Sequence, residues 1–476
     1  MTARSSLRRA LLVAVLACCL IFPAAALAAA PVNTVLPAVT GTTQQGSTLT
    51  TDNGTWMNSP TSYTYGWYDC NASGAACVQI TGQTASSYTL TNTDIGHKIR
   101  STVRAHNADG SNIVSSNATS QVTGPSCTVT LSSLTNVNAD LTAGAVVCLS
   151  AGTYGSLSIT ASPASQATLT AAPSAHVVLG GVSLSGGHIT VDQIHSTGGI
   201  TITAGSNYII DRNDVSNLGG YGIAILAPVG TPSANDVISN NEVHDTSTTS
   251  EGDALRFDGI SNLTVSGNDV YDIVESETAC SDGPCHTDTM QFYNAGTAVS
   301  GVTITKNYIH DTTDAQGVPF LKDADYSSVS ITDNLSVRMS SVGEVTGMTV
   351  QENTPGLTIS NNTYVGTSGS NVTPGGSAAN PTLNLTKNLF DQFNMTPTNY
   401  PINTDSNNIF EQDPWSWSRG ASDSVVASPS FKCSTNCGAD TTDANAGADD
   451  DYELASNPNG IGIDWSPASE VYGPSK

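Results

Sequence analysis

One short phrase recurs seven times between residues 210 and 390 and bounds what this chain can fold into. Aligning IDRNDV at Ile210, ISNNEV at Ile238, VSGNDV at Val265, ITKNYI at Ile304, ITDNLS at Ile331, ISNNTY at Ile359 and LTKNLF at Leu385 puts one asparagine in register. These are Asn213, Asn241, Asn268, Asn307, Asn334, Asn362 and Asn388, with steps of 28, 27, 39, 27, 28 and 26 residues. A period in the twenties carried by β-branched residues is the mark of a solenoid. Each repeat is too short to bury its own apolar face, so successive coils must stack at ~4.8 Å and share one core. The phrase alternates inward and outward with period two, then turns at the asparagine. Asparagine tolerates the left-handed conformation expected of such a turn, and stacked amides can hydrogen-bond along the column.

The first residues carry Arg4, Arg8 and Arg9, followed by an apolar run from Ala10 to Ala30 that ends in small residues. That is the layout of a secretory signal peptide, and residues 1–29 are expected to be removed. Cys18 follows Leu16 and Ala17 as in a lipid-anchored leader, but the apolar run continues well past it, which favours ordinary cleavage near Ala28 or Ala30. No later stretch reaches the ~18 unbroken apolar residues of a membrane helix. Secretion to the extracellular space, with no membrane span, is the expectation.

Eight further cysteines fall as close neighbours: Cys70 with Cys77, Cys127 with Cys148, Cys280 with Cys285, and Cys433 with Cys437. Four local disulfides suit an oxidising compartment. A zinc site is the rival reading, but each pair lies in a different region and none has a matching histidine. The chain has 15 basic and 40 acidic residues and a formal charge of −25. Nucleic acid is therefore excluded as a partner, because phosphate binding needs clustered Lys and Arg. The acidity is read as extracellular solubility, or as loops that hold Ca²⁺.

Residues 31–123 alternate apolar and polar positions in short runs broken by Gly, Asn, Ser and Pro, which predicts a small β-sandwich with Trp67 in its core. With GTW at 54–56, YTYGWYDC at 63–70 and YTLTNTDIGHKI at 88–99, this segment resembles the immunoglobulin-like modules that precede bacterial secreted enzymes and surface proteins. From Cys127 the composition turns to Ser, Thr, Gly and Asn. Within residues 127–476, AGTYGSLSIT at 151–160 resembles the opening coil of pectate-lyase-like β-helices, and DDYELASNPNGIGIDWSP at 450–467 resembles the closing segment of bacterial members. The resemblance implies an all-β chain: a right-handed parallel β-helix preceded by an immunoglobulin-like sandwich.

The 39-residue step is the informative irregularity, because it leaves 12 residues beyond the usual 27. They include ETACSDGPCHTD, stapled by Cys280 and Cys285, and one stiffened insertion in a regular scaffold suggests a binding or catalytic loop. The neighbouring strand HTDTMQFY, 286–293, is expected to stack between EGDALRFD, 251–258, and GVPFLKDA, 317–324. Arg256 and Lys322 each stand 12 residues before their turn asparagine, and Gln291 matches Arg256 when the first two strands are superposed. With Leu255, Met290 and Leu321 inward, Arg256, Gln291 and Lys322 are expected to point outward in one row. Such a row suits an acidic sugar, with Arg256 on a carboxylate and Lys322 as a base. The plain alternative is that both cations pair with Asp253, Asp258, Asp288 or Asp323.

His286, beside the insertion, is a candidate catalytic base, and Gln291, Tyr293 and Asp288 are candidate substrate contacts. Glu251, Asp253 and Asp288 are candidate Ca²⁺ ligands, or Asp253 and Asp288 an acid and base one coil apart. His244, Tyr271 and His310 each follow a turn asparagine by three residues, a periodicity that points to turn chemistry. Lys306 and Lys387 precede turn asparagines and are expected in solvent, and the acidic tract 440–451 is read as a solvated loop.

The coil repeats resemble bacterial polysaccharide lyases and glycoside hydrolases of the pectate-lyase-like superfamily. The aspartate pairs with Gly-His-Gly and Arg-Ile-Lys of polygalacturonases are absent, as is a clear pectate-lyase or chondroitinase set. The leading expectation is a monomeric polysaccharide lyase acting by β-elimination on a uronate-containing polymer, with Ca²⁺ as the one cofactor considered. A non-catalytic glycan-binding or structural surface protein and a glycoside hydrolase are the alternatives.

Overall fold

The computed structural model describes residues 29–426 and 461–462, apart from residues 81–82, 218, 229, 247–251, 274–286, 294–297, 311, 313–317, 323, 338–346, 353, 368, 376–381, 396–401 and 412–419. Residues 1–28 of the expected signal peptide, the pairs Cys280 with Cys285 and Cys433 with Cys437, Glu251, His286, Asp323 and the tract 440–451 lie outside the described residues, as does nearly all of 450–467. The chain divides into two compact units, one up to Gly124 and one from Pro125.

The first unit is antiparallel. Its long strands Ser62–Cys70 and Lys98–Asn107 pair with each other, flanked by Val78–Gln79 and Gly110–Ser115. A second, three-stranded sheet contains Val39–Thr40, Thr48–Thr51 and Ser87–Thr89. Trp67 is fully buried with Leu49, Tyr88, Leu90, Ile99 and Val122, and its indole N–H donates to the Ala85 carbonyl at 2.9 Å. Cys70 and Cys77 form a disulfide.

Among the described residues the second unit is a parallel solenoid of three long sheets, with a fourth that pairs only Ser233–Ala234 and Ile260–Ser261. The first sheet runs through 12 strands from Val129–Leu131 to Ile402–Ser406, the second through 12 from Gly152–Tyr154 to Ser424–Val425, and the third through 10 from Leu157–Ile159 to Phe393–Met395. Every strand pairs with its counterpart one coil away, so each sheet is built from residues 15 to 39 apart in sequence. The inward row of the first sheet runs Leu169, Val191, Ile210, Ile238, Val265, Ile304, Ile331, Ile359 and Leu385, each buried. Burying such a side chain contributes roughly 1.5–3 kcal/mol, so the shared interior is the main source of stability. The short helix Val137–Asp140 adds Val137 and Leu141 to this core, and the Cys127 to Cys148 disulfide ties the opening coil. Two glycines show how close the corners stack: a Cβ on Gly186 would lie 1.7 Å from the Ala161 carbonyl oxygen, and one on Gly198 would lie 1.9 Å from that of Gly180.

All seven asparagines stand at the corner between first and second sheets, buried in one column. Asn307 is typical. Its Oδ1 accepts the Asn268 backbone N–H at 3.1 Å and the Asn268 amide at 2.9 Å. Its own amide donates to the Val265 carbonyl at 3.0 Å and to Asn334 Oδ1 at 2.9 Å. The pattern runs without a break from Asn213 to Asn388 and continues to Asn408, where Asp423 closes it by accepting the Asn408 N–H at 2.8 Å. The left-handed residue is not the asparagine, however. It is the one before it: Arg212, Asn240, Gly267, Lys306, Asp333, Asn361 and Lys387 all have φ between 52 and 64°. The asparagine is required for its amide, which serves backbone groups that the corner removes from the ladder. Lys306 and Lys387 are exposed, as read.

Replacing Asn307 with alanine leaves the Asn268 N–H and the Val265 carbonyl unpaired in a dry interior. At about 1–3 kcal/mol for each orphaned group, Asn307→Ala is expected to lose roughly 2–6 kcal/mol. Lys306→Gly, one residue away and already left-handed, is expected to stay within about 1 kcal/mol of the parent. Urea unfolding of both variants followed by circular dichroism checks the contrast.

Candidate functional site

The strands flanking the insertion are neighbours in the third sheet. Leu255–Asp258 pairs with Met290–Tyr293, which pairs with Phe320–Lys322. Arg256 lies beside Gln291, as the superposition of the two strands predicts. Lys322 does not share that row. It pairs with Tyr293, which pairs with Asp258, so Lys322 stands two positions along the sheet from the Arg256 row, and Phe320 takes its place there. Leu255, Met290 and Leu321 are all buried, as expected, but Leu321 is level with Phe257 and Phe292 rather than with Leu255 and Met290. Counting back from the asparagine fails because the corners vary in length. Met290 stands 22 residues after Asn268 where its partner Leu255 stands 14 after Asn241, so eight of the twelve extra residues precede this strand and four follow it.

Because the shift is by two residues, Lys322 keeps to the outward side. Arg256 Nε donates to Asp258 Oδ1 at 2.7 Å and Nη1 to Asp253 Oδ2 at 3.1 Å. Its guanidinium lies 5.0 Å from the centre of the Tyr293 ring, and Lys322 Nζ lies 5.6 Å from that of Phe320. Both cations therefore rest on aromatic faces one coil apart. Burial alone pulls the Arg256 pKa down, but the hydrogen bond to Asp258 and the charges of Asp253 and Asp258 raise it above its ordinary value. Burial raises the Asp258 carboxyl, and Arg256 only partly opposes it.

The remaining candidates sit deeper. Asp253 is 3% exposed and Asp288 1%, at the bends before their strands. The Asp288 N–H donates to Asp253 Oδ1 at 2.8 Å, so both oxygens of Asp253 are engaged, one by that amide and one by Arg256. Among the described residues no cluster of three acids, histidines or cysteines is disposed to hold a metal. Gln291 is 9% exposed, so its side chain contributes little open surface. The solvent-facing members of the site are thus the Arg256 and Asp258 pair, Tyr293 and Lys322. Phe320, under the lysine, was not anticipated, since an aromatic outward position gives no signal separate from a core one.

A second cluster lies on the outward side of the second sheet. The rings of His244 and Tyr271 stack at 5.1 Å, those of Tyr271 and His310 at 5.1 Å, and those of Tyr308 and His310 at 4.3 Å. Each ring in the three-residue periodicity reaches diagonally back to an acid one coil earlier. His244 Nε2 meets Asp214 Oδ1 at 2.9 Å, the Tyr271 hydroxyl donates to Glu242, and His310 Nε2 meets Asp269 Oδ1 at 3.0 Å. His195 contacts Asp214 from the other side at 2.8 Å. The periodicity was legible in the sequence, whereas the acids were not, because they belong to the preceding coil. Nearer the C-terminus the same outward side turns apolar, and Ile461 packs there with Leu389 and Ile409.

Residues 181–390 match a family model described as a right handed beta helix region. Among solved structures the chain is similar to one titled Structure of Yersinia enterocolitica Family 28 Exopolygalacturonase, at 11% identity and a TM-score of 0.37, over 83% of this chain and 99% of that one. No curated protein matches the chain. The architecture is that of a right-handed parallel β-helix.

The His244 cluster predicts a pH dependence. Burial lowers the His244 pKa, but hydrogen bonds to Asp214 and Asp245 and nearby negative charge overcome it and push it up to about 9 from 6.5. Burial raises the Asp214 carboxyl, and bonds from His195 and His244 hold it well below the usual carboxylate range. A histidine raised in the folded state stabilises fully below its unfolded value of 6.5 and loses that contribution as pH climbs through about 9. The stability gap between the parent and His244→Gln is therefore expected to be largest on the acid side of that window and to close above it. Thermal melts across the pH series measure it.

Proposed function

We propose that this chain is a secreted, carbohydrate-active protein that acts on a uronate-containing polysaccharide by β-elimination. The observation that carries the reading is the outward group of Arg256, Tyr293 and Lys322 on three successive coils, next to the insertion between Asn268 and Asn307. A polyuronate presents carboxylates at regular intervals, and an arginine and a lysine two coils apart offer counter-charges to them. The Tyr293 face and the Asp258 carboxyl add the ring surface and hydrogen-bond acceptor that sugar hydroxyls need.

In the elimination the proton on the carbon next to the uronate carboxylate leaves first. The electron pair then forms the carbon–carbon double bond as the glycosidic oxygen departs from the adjacent carbon with its bonding pair and takes up a proton from water. Lys322 is assigned the proton abstraction, and Arg256 the neutralisation of charge building on the carboxylate. A substrate carboxylate would exchange with Asp258 at Arg256 Nε while Asp253, deeper, keeps its hold on Nη1. His286 is kept as a further candidate proton carrier beside the insertion. Ca²⁺ dependence stays within the proposal as an addition to the assay.

The second reading is glycan binding without turnover. It is favoured by the two aspartates that already neutralise Arg256.

Incubating the full chain with a panel of uronate polysaccharides, with and without Ca²⁺, while following ultraviolet absorbance of the unsaturated product, tests the proposal. Absorbance growth on at least one polymer is expected. Lys322→Ala is expected to lose about 10²-fold or more in kcat/KM, the usual scale for a removed general base. Retention on a polymer column without absorbance growth would leave the binding reading, and neither signal on any polymer would remove both.

A further inference from the structure

The outward side of the first sheet differs from the other two. Over six coils its outward positions form two columns, straight through the first five and shifted in register at the last. One contains Thr264, Thr303, Ser330, Thr358, Asn384 and Thr404. The other, two residues along each strand, contains Ser266, Thr305, Thr332, Ser360, Thr386 and Ser406. Apart from Asn384 every position bears a hydroxyl. We propose that this face is an ice-binding surface, its ligand being a crystal plane of frozen water.

The spacing is the first ground. Coils repeat at ~4.8 Å and alternate residues of a strand at about 6.6 Å, so the hydroxyls occupy a rectangular grid. The oxygen lattice of ice exposes rectangular repeats in the same range. A folded protein partner or a flexible polymer offers no matching grid across six rungs.

Rigidity is the second. Between the columns runs the buried row Val265, Ile304, Ile331, Ile359 and Leu385, which clamps the first five strands to the core; on the sixth Asp405 takes this position. Below the second column the asparagine ladder fixes the corner. Threonine is stiff at χ1, and the Thr332 hydroxyl donates to that of Thr305 at 3.0 Å, so the pattern is set before any ligand arrives. Many weak contacts from a preordered array add up because little ordering cost remains.

Charge is the third. Neither column has an ionisable or aromatic side chain, in a chain whose formal charge is −25. Within the columns an acidic polysaccharide finds no counter-charge, the nearest cations being Lys306 and Lys387 at the rim, and a neutral one no ring to stack on, whereas uncharged hydroxyls and methyls complement a neutral lattice. The array also has an edge. In the three coils before Thr264 the corresponding positions are Thr190, Ile209 and Val237 in one column and Asp192, Asp211 and Ser239 in the other. Charged Lys306, Asp333 and Lys387 stand one residue beyond the second column, on its turn.

The test uses the full chain in a nanolitre osmometer, reading the gap between melting and ice growth and the shape of the crystal. The parent is expected to open a gap and facet the ice, and so is Thr168→Tyr, a control on the same sheet before the array. Thr332→Tyr and Thr303→Tyr are expected to lose the gap while keeping the parent's circular dichroism and melt. Thr332→Lys, which adds charge without a ring, covers the case where a tyrosine variant fails to fold. No gap in the parent, or an undiminished gap in folded Thr332→Lys, would overturn the assignment. Polysaccharide turnover is read separately, since none of these positions belongs to the Arg256 site.

Discussion

The solenoid depends on how a backbone turns a corner in a dry interior without abandoning its polar groups. Between first and second sheets the strand ladder is interrupted at each coil, and the buried N–H and carbonyl left there must find partners. The asparagine column supplies them. Each amide accepts from one neighbour's backbone and side chain and donates to a carbonyl of the coil before, so the ladder holds coil to coil as well as strand to corner. Once that corner is fixed, the period-two alternation decides which side chains enter the core and which face out.

This explains which parts of the architecture were legible. The column was visible because the corner has constant length on both sides of the asparagine. Its true extent was not, since Asn408 follows Asn388 by 20 residues and its successor is an aspartate, Asp423, doing an amide's work with one oxygen. The left-handed residue was misplaced by one because side-chain identity says little there. Arg212, Lys306, Asp333 and Lys387 all adopt the conformation, their backbone set by the asparagine next to them rather than by preference.

At the Arg256 site the same reasoning gives a finer lesson. Parity survived where register did not: Lys322 was read as outward and stands outward, yet two positions from where counting put it. Inward or outward facing is fixed by the core within one strand, whereas register depends on every corner crossed from the ladder. The plain alternative for Arg256, pairing with Asp253 and Asp258, is what the geometry has, and it works with the proposed chemistry rather than against it. A guanidinium held by a buried aspartate on one nitrogen and a more exposed one on another is aimed in advance, at the cost of competition for the exposed position.

The scaffold therefore separates stability from surface chemistry. The inward rows and the ladder hold the coils together, so outward positions are free to differ from sheet to sheet. Stacking then multiplies whatever they contain, because a residue type repeated at one position becomes a column at strand spacing. On the third sheet the outward positions are few and heterogeneous, and a broken period marks the place. On the second they alternate acid and ring, and diagonal pairing from Asp214 to His310 offsets the repulsion that a pure column of acids would suffer. On the first, from Thr264 onward, they are neutral and nearly uniform. A column of like charges would repel itself at ~4.8 Å, so long uniform columns can only be built from neutral residues, and a solenoid's most regular face is on physical grounds also its least charged one.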